Sequence, residues 1–520
     1  MKYIIRFSAK LRFQLSTFLP QLSTFLPLIR ITLLLLLVAF FSVYAWKDWF
    51  VSLCGAILLL AVVRHPDFPK NIGGIQGGNP WNVLILSILL AWATRRGEEG
   101  HEWDMPTIAG WMLFACFVVV VVGVIRLLLN DYPTGETNGT ILSEYLVNTV
   151  KWVIPSLILF DACRTRQRAT IALGTILCLY FLLAIQVIRW MPLSEVGSGS
   201  DLSSRASKIT QNEIGYNRVT LSMMLAGASW AALATMPVLK QNLPRFIMLG
   251  VAALIAFGQA LTGGRTGYVT WIGIGIVLAA LRWRKLLLIL PVALLAIGVC
   301  LPSVSQRMFQ GFGGQEGNFT VGTSAYEMTS GRDIAWPVVM AEIGKAPLIG
   351  YGREGMVTTG ISDRLMNEYD EAFPHPHQAY LQLLLDNGIM GFLLVIPIFL
   401  YVIRHSFTQL LVRDDPLVCA IGCTAFCLVL ALMIGAFGGQ TFYPREGAVG
   451  MWAAIGLLLR VHVNSRQAVE TGEPIFPEEL PTKGFFNGPE ENGVPSEDPP
   501  ERIWNHHQAT SDPAILSRST

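Results

Sequence analysis

Charge is scarce in this chain: only 14% of its 520 residues are Asp, Glu, Lys or Arg, where soluble domains carry roughly 25%. Such a shortage rules out an ordinary soluble fold. There is no basic stripe, zinc-finger spacing or soluble helix-turn-helix, so nothing points to nucleic acid. His101-Glu-Trp-Asp104 lacks the second His of a zinc helix and no Asp-x-Asp stands in a loop, so nothing requires a metal and no cofactor is implied. The Gly311–Gly317 stretch has no strand before it and is no nucleotide fingerprint. Cysteine is sparse and lies mostly in apolar runs. Cys419, Cys423 and Cys427 recur every four residues on one helix face, as small packing residues do, and no disulfide framework is suggested.

What is abundant is apolar sequence, 52% of the chain, arranged in repeated runs of roughly 20 residues, the length that spans a bilayer. The expected fold is therefore an all-α polytopic membrane protein with about twelve or thirteen transmembrane helices. Candidate spans are 28–46, 49–63, 82–94, 107–129, 141–160, 169–190, 218–236, 245–262, 267–281, 286–301, 379–402, 417–437 and 447–462. The cationic loops around Arg164–Arg168, Lys240 and Arg245, Arg282–Lys285, and Arg404 and Arg413 fall on one side, which the positive-inside rule makes cytoplasmic. Thirteen spans would put the basic N-terminus on the wrong side, so 49–63 or 82–94 is expected not to cross fully.

Five regions follow. Residues 1–30 form a basic cytoplasmic leader that contains a tandem heptad, 14–20 and 21–27. Residues 31–301 form an N-terminal bundle, 302–377 a cap on the outer face, and 378–462 a C-terminal bundle. From 463 to 520, Pro, Glu, Asn and Ser replace aliphatics, and no core can form; a disordered cytoplasmic tail is expected. The cap is the long polar interruption of the apolar sequence. Its Trp, Tyr and Phe content argues that it folds, and a loop of this length in a compact protein usually carries function.

Ionisable groups near membrane depth are functional candidates by default. Arg265 sits in Leu261-Thr-Gly-Gly-Arg-Thr-Gly-Tyr268, where glycines let the backbone approach a ligand and a helix N-terminus follows, an anion-binding arrangement. The same turn would also suit an arginine that merely snorkels at a helix end. Arg332 opens a helix at Ser330-Gly-Arg-Asp-Ile-Ala-Trp336, with Asp333 available as a surface partner. His377 closes the cap after Phe373-Pro-His-Pro, whose prolines stiffen the approach. Its imidazole suits proton acceptance near neutral pH, or a hydrogen bond to a lipid headgroup.

Four places taken together resemble the bacterial O-antigen ligase and O-antigen polymerase family: Gly-Gly-Arg at 263–265, Gly-Arg-x-x-x-Trp at 331–336, Pro-Leu-Ile-Gly-Tyr-Gly at 347–352, and His-x-x-Tyr-Leu at 377–381 leading into Asp386-Asn-Gly-Ile-Met-Gly391. The resemblance covers residues 215–460. This chain has Thr-Gly-Gly-Arg where the family has a Ser-x-Ser-Arg-like turn, and Gln378 where Asn is common. The resemblance implies a GT-C-like membrane glycosyltransferase of the bacterial inner membrane, with the cap in the periplasm. Its donor would be a polyprenyl-diphosphate-linked glycan, and its acceptor a hydroxyl of a glycan or lipid core. It implies that Arg265 and Arg332 hold the diphosphate while His377 takes the acceptor proton, with inversion and without metal. Arg218 and Arg353 would add donor contacts, and Trp336, Tyr351 and Tyr380 could stack on sugars or pack within the cap. The rivals are a transporter or flippase for the same lipid-linked glycan, which would show discontinuous helices and midplane charges, and a catalytically inactive membrane partner.

Overall fold

The computed structural model describes residues 29–71, 77–100, 102–130, 137–191, 202–285, 332–370, 373–439 and 442–476, with isolated positions between 288 and 304. The leader up to 28, most of the 286–301 candidate span, the cap before Arg332 and the tail from 477 lie outside the described residues.

Every regular element among the described residues is helical. Seven helices are long and apolar enough to cross a membrane, and Ile29–Tyr44, Trp49–Val63 and Arg265–Leu281 are shorter apolar helices. We label them α1 (Ile29–Tyr44), α2 (Trp49–Val63), α3 (Pro80–Arg95), α4 (Thr107–Leu128), α5 (Ile154–Ala162), α6 (Arg166–Trp190), α7 (Leu202–Ile209), α8 (Arg218–Ala234), α9 (Asn242–Leu261), α10 (Arg265–Leu281), α11 (Arg332–Lys345), α12 (Ile361–Tyr369), α13 (Ala379–Leu410), α14 (Pro416–Gly435) and α15 (Val449–Thr471). Short polar side chains start many of them: Asp48, Asn79, Thr165, Asn217 and Asp415 each accept a backbone N–H of the first turn.

Helices α8, α14 and α15 form the inside of the bundle. Their apolar windows are 78%, 83% and 83% buried, against 22% for α4 and 28% for α9, whose Phe114, Phe117, Phe246 and Ile247 face outward. Apolar side chains that point away from a packed core are what a lipid-facing surface requires. Gly227 lets α8 and α14 touch, since a Cβ there would stand 2.9 Å from the Cys427 carbonyl oxygen. The three cysteines of α14 are buried packing groups, as their spacing suggests.

One end of the bundle is tied by ion pairs. Asp161 receives Arg96 at 3.0 Å and Arg164 at 2.9 Å, while Arg460 and Arg164 share Asp104. Arg95 of α3 donates to the carbonyls of Trp46 and Lys47 after α1, and Arg168 lies over Trp49 at the start of α2. At the other end of α2, Arg64 pairs with Glu446 at 2.6 Å. Helix α2 thus joins the two ends of the bundle despite its short length.

Three expected boundaries change. The 141–160 span is not one helix: a π-helical stretch over Leu142–Val147 and a turn at Lys151 precede α5. The last helix continues beyond residue 462 to Thr471, carried by buried Val463 and Asn464 and an i,i+4 Arg466–Glu470 pair at 3.1 Å. The 379–402 span extends to Leu410 and is broken at Gly388, where φ is 62° and ψ −167°.

That break explains a motif. Pro347-Leu-Ile-Gly-Tyr-Gly352 lies along residues 385–390: Tyr351 N–H donates to the Leu385 carbonyl at 2.9 Å and Gly352 N–H to Asp386 at 2.7 Å. In return Ile389 and Met390 donate to Pro347 and Leu348 at 2.8 and 3.0 Å. The segment satisfies the backbone groups that the interrupted helix cannot pair itself. Gly350 and Gly388 must lack side chains, because a Cβ at either would fall within 2.4 Å of the opposing backbone. Arg126 of α4 fixes the segment from outside through the Ile349 and Gly350 carbonyls. Above it, the described part of the cap has its own small core of Ala335, Val339, Met356, Ile361, Leu365 and Phe373 on Leu385.

Candidate functional site

The Gly-Gly-Arg turn lies flat against α8. Gly263 has φ +66°, and side chains at Gly264 or Gly267 would strike Ser222, at 2.8 and 1.8 Å respectively. Arg218, the first residue of α8, reaches the Gly263 carbonyl at 3.4 Å. Arg265 is the first residue of α10 and is half-buried. The amide end of α10 therefore adds its partial positive charge to the guanidinium.

Arg332 begins α11 in the cap. One terminal nitrogen donates to the Gly438 carbonyl at 3.2 Å, whereas its Nε is buried without a hydrogen-bond partner. Among the described residues Arg332 makes no ion pair with a carboxylate. Gly438 itself sits on the first turn of α10, since a Cβ there would lie 2.2 Å from Thr266 Oγ1. This contact brings the two arginines near each other. Burial lowers the proton affinity of the Arg332 guanidinium, and the positive charge of Arg265 lowers it further.

His377 is held from three directions. Its backbone is left-handed at φ +52°, uncommon for a residue with a side chain. Its N–H donates to His375 Nδ1 at 3.3 Å, and the two rings are 4.2 Å apart. Trp336 Nε1 donates to the Pro376 carbonyl at 2.9 Å, clipping the loop to α11, and Ala379 N–H donates to the Ala436 carbonyl at 2.8 Å. Burial and then the charge of Arg332 push the His377 imidazole below its ordinary pKa. His375 is pushed down to about 3 by burial, then by His377 and Arg445. Both rings are consequently neutral at neutral pH.

Arg265, Arg332 and His377 thus gather around the 436–439 turn, although they come from α10, the cap and the start of α13. Sequence reasoning missed that turn. Its only mark was the Gly438-Gly439 pair, which permits close approach but names no partner.

The remaining candidates divide. Arg218 lies beside the Gly263–Arg265 turn, and Trp336 serves as the clip just described. Arg353 is closed inside the protein: its side chain is 5% exposed, 3.7 Å from Asp386, and its guanidinium lies 3.5 Å over the Tyr443 ring. Tyr351 bonds Glu342 at 2.8 Å within the cap. Tyr380 donates to the Met433 carbonyl at 2.9 Å and packs between Phe437 and Phe442. These last three residues hold the scaffold in this arrangement.

The family model for the O-antigen ligase region, Wzy_C, matches residues 250–396, from α9 into α13 and across Arg265, Arg332 and His377. The family read from the four motifs is thereby shown over this stretch. No curated protein matches the chain.

Proposed function

We propose that this multi-pass membrane protein, which carries an O-antigen ligase region at residues 250–396, is a glycosyltransferase. It moves a glycan from a polyprenyl diphosphate to an acceptor hydroxyl on the outer, periplasmic face of the bacterial inner membrane. One observation carries the proposal: the half-buried Arg332 guanidinium, within electrostatic reach of Arg265, keeps an unused buried Nε–H and acts on a histidine kept neutral. A buried guanidinium N–H without an acceptor is costly, and an anionic ligand would supply one.

In the reaction, Arg265 and Arg332 hold the diphosphate, and their planar forks neutralise the charge that develops on it. The acceptor hydroxyl attacks the anomeric carbon from the opposite face and gives its proton to the unprotonated nitrogen of His377. A new carbon–oxygen bond forms as the bond to the diphosphate breaks, and the departing diphosphate keeps the electron pair. The single displacement inverts the anomeric configuration and needs no metal. A base of this kind contributes roughly 10²–10⁴-fold.

The discontinuous α13 is the feature that a transporter of the same glycan would share. Here the break opens no path: cap backbone fills it, and Asp386 beside it is taken up by Arg353, Tyr443 and the Gly355 amide. Transfer from a defined polyprenyl-diphosphate glycan in detergent tests the proposal. His377→Ala should insert normally and form no product, and unchanged product would remove the proton-acceptor role.

A further inference from the structure

A cavity of about 290 Å³ lies against α8, lined by Arg218, Thr220, Met223 and Met224 of that helix. Arg64, Arg218, Arg445 and Glu446 line its polar wall together with Gln211 and Asn217, while methionine and leucine side chains of α8, α14 and α15 form the other. Its size is close to the lower end of ligand pockets, roughly 300–1,000 Å³. Arg265, Arg332 and His377 do not line it, and the donor diphosphate is already assigned to them. The cavity and the catalytic cluster share one wall through the Arg218 bond to the Gly263 carbonyl at 3.4 Å.

The charges in this cavity do not balance. Glu446 is committed to Arg64 at 2.6 Å. The exposed side chain of Arg445 lines the cavity and, among the described residues, makes no hydrogen bond and no ion pair, while its carbonyl accepts from the Ala448 N–H at 2.8 Å. Two residues before it, the Tyr443 ring lies 3.5 Å under the buried Arg353 guanidinium, whose positive charge reaches Arg445. Burial and then Arg353 lower the proton affinity of Arg445, and the opposing pull of Glu446 and Glu354 does not cancel them. A guanidinium backed by a like charge, facing a partly apolar cavity with amide donors around it, is arranged to accept an oxyanion.

We propose that this cavity is a phosphate-binding subsite for the acceptor, with Arg445 as its principal ligand and Arg218 beside it. The acceptor then carries a phosphate of its own, either the diphosphate of a second lipid-linked glycan or a phosphate on a lipid-core sugar. The proposal rests on the glycosyl-transfer function above and adds the chemical class of its second substrate.

The test uses full-length protein in detergent and acceptors of identical glycan. One acceptor is on a polyprenyl diphosphate, one is a phosphorylated lipid-core oligosaccharide, and a third is the same core after phosphatase treatment. Binding is first measured on the His377→Ala protein without turnover, so that it does not depend on catalysis. At least one phosphorylated acceptor should bind about tenfold more tightly than the dephosphorylated one, the scale of a single charge-assisted contact. The acceptor that shows the preference identifies the source of the phosphate. Adding Arg445→Gln should bring the ratio to about one, and Arg445→Lys should retain part of it. Equal binding of all three acceptors, or a preference untouched by Arg445→Gln, overturns the subsite. A loss of donor affinity equal to the loss of acceptor affinity in Arg445→Gln also overturns it, by assigning the cavity to the donor. If binding follows the expected pattern while the wild-type protein forms no product, the transfer function fails and the subsite stands.

Discussion

Gly438→Ala is the substitution that most directly probes how the site is assembled. Gly438 does two things at once: its carbonyl accepts from Arg332, and its bare Cα lies against Thr266, next to Arg265. A methyl group there would stand 2.2 Å from Thr266 Oγ1, 2.8 Å from Cγ2 and 3.0 Å from Cβ. Rotating the threonine side chain relieves the first two contacts but leaves the third, so the 436–439 turn must move. Overpacking of this size costs about 1–3 kcal/mol. A displacement of roughly 1 Å in a positioned group costs about 10²-fold in rate. Gly438→Ala should therefore insert and fold but transfer glycan about 10²-fold more slowly, measured as initial rate at saturating donor. Thr266→Ala removes the two nearest atoms, and in the double variant most of the lost rate should return, a coupling that a double-mutant cycle isolates. Turnover within about threefold of wild type for Gly438→Ala alone would refute the idea that this turn sets the spacing of the arginines.

Three further expectations concern charge. Burial and then Arg332 lower the pKa of His377, so the acid limb of the rate–pH profile should lie below the ordinary histidine value of about 6.5. Arg332→Gln removes the second cause and should raise that limb while the residual rate falls; an unmoved limb would separate Arg332 from His377. Asp386→Ala leaves the Arg353 charge buried beside only Glu354 at 4.0 Å, and should lower unfolding stability in detergent by about 3 kcal/mol. A loss under about 1 kcal/mol would mean that Tyr443 and Glu354 suffice. Chelation should leave transfer intact, and a strict divalent-ion requirement would overturn the arginine clamp.

Length, apolar runs and the placement of arginines decided the class of this protein from sequence alone, because a bilayer imposes helices of a set length and puts a price on every charge. Arg265, Arg332 and His377 were singled out as candidates by the sequence, each in a local pattern of glycine or proline that marks an unusual backbone. Only tertiary structure decided what those patterns do together. Pro347–Gly352 seals a helix broken at Gly388, and Arg332 reaches Gly438 across 106 positions. Arg353, Tyr351 and Tyr380 hold the scaffold, whereas Arg445 opens onto a cavity. Which of two arginines is closed inside and which faces open space depends on partners far along the chain, such as Asp386 and Tyr443 for Arg353. A side chain's local neighbours record its backbone, but its charge balance is set by residues that folding brings to it, and no periodicity encodes them.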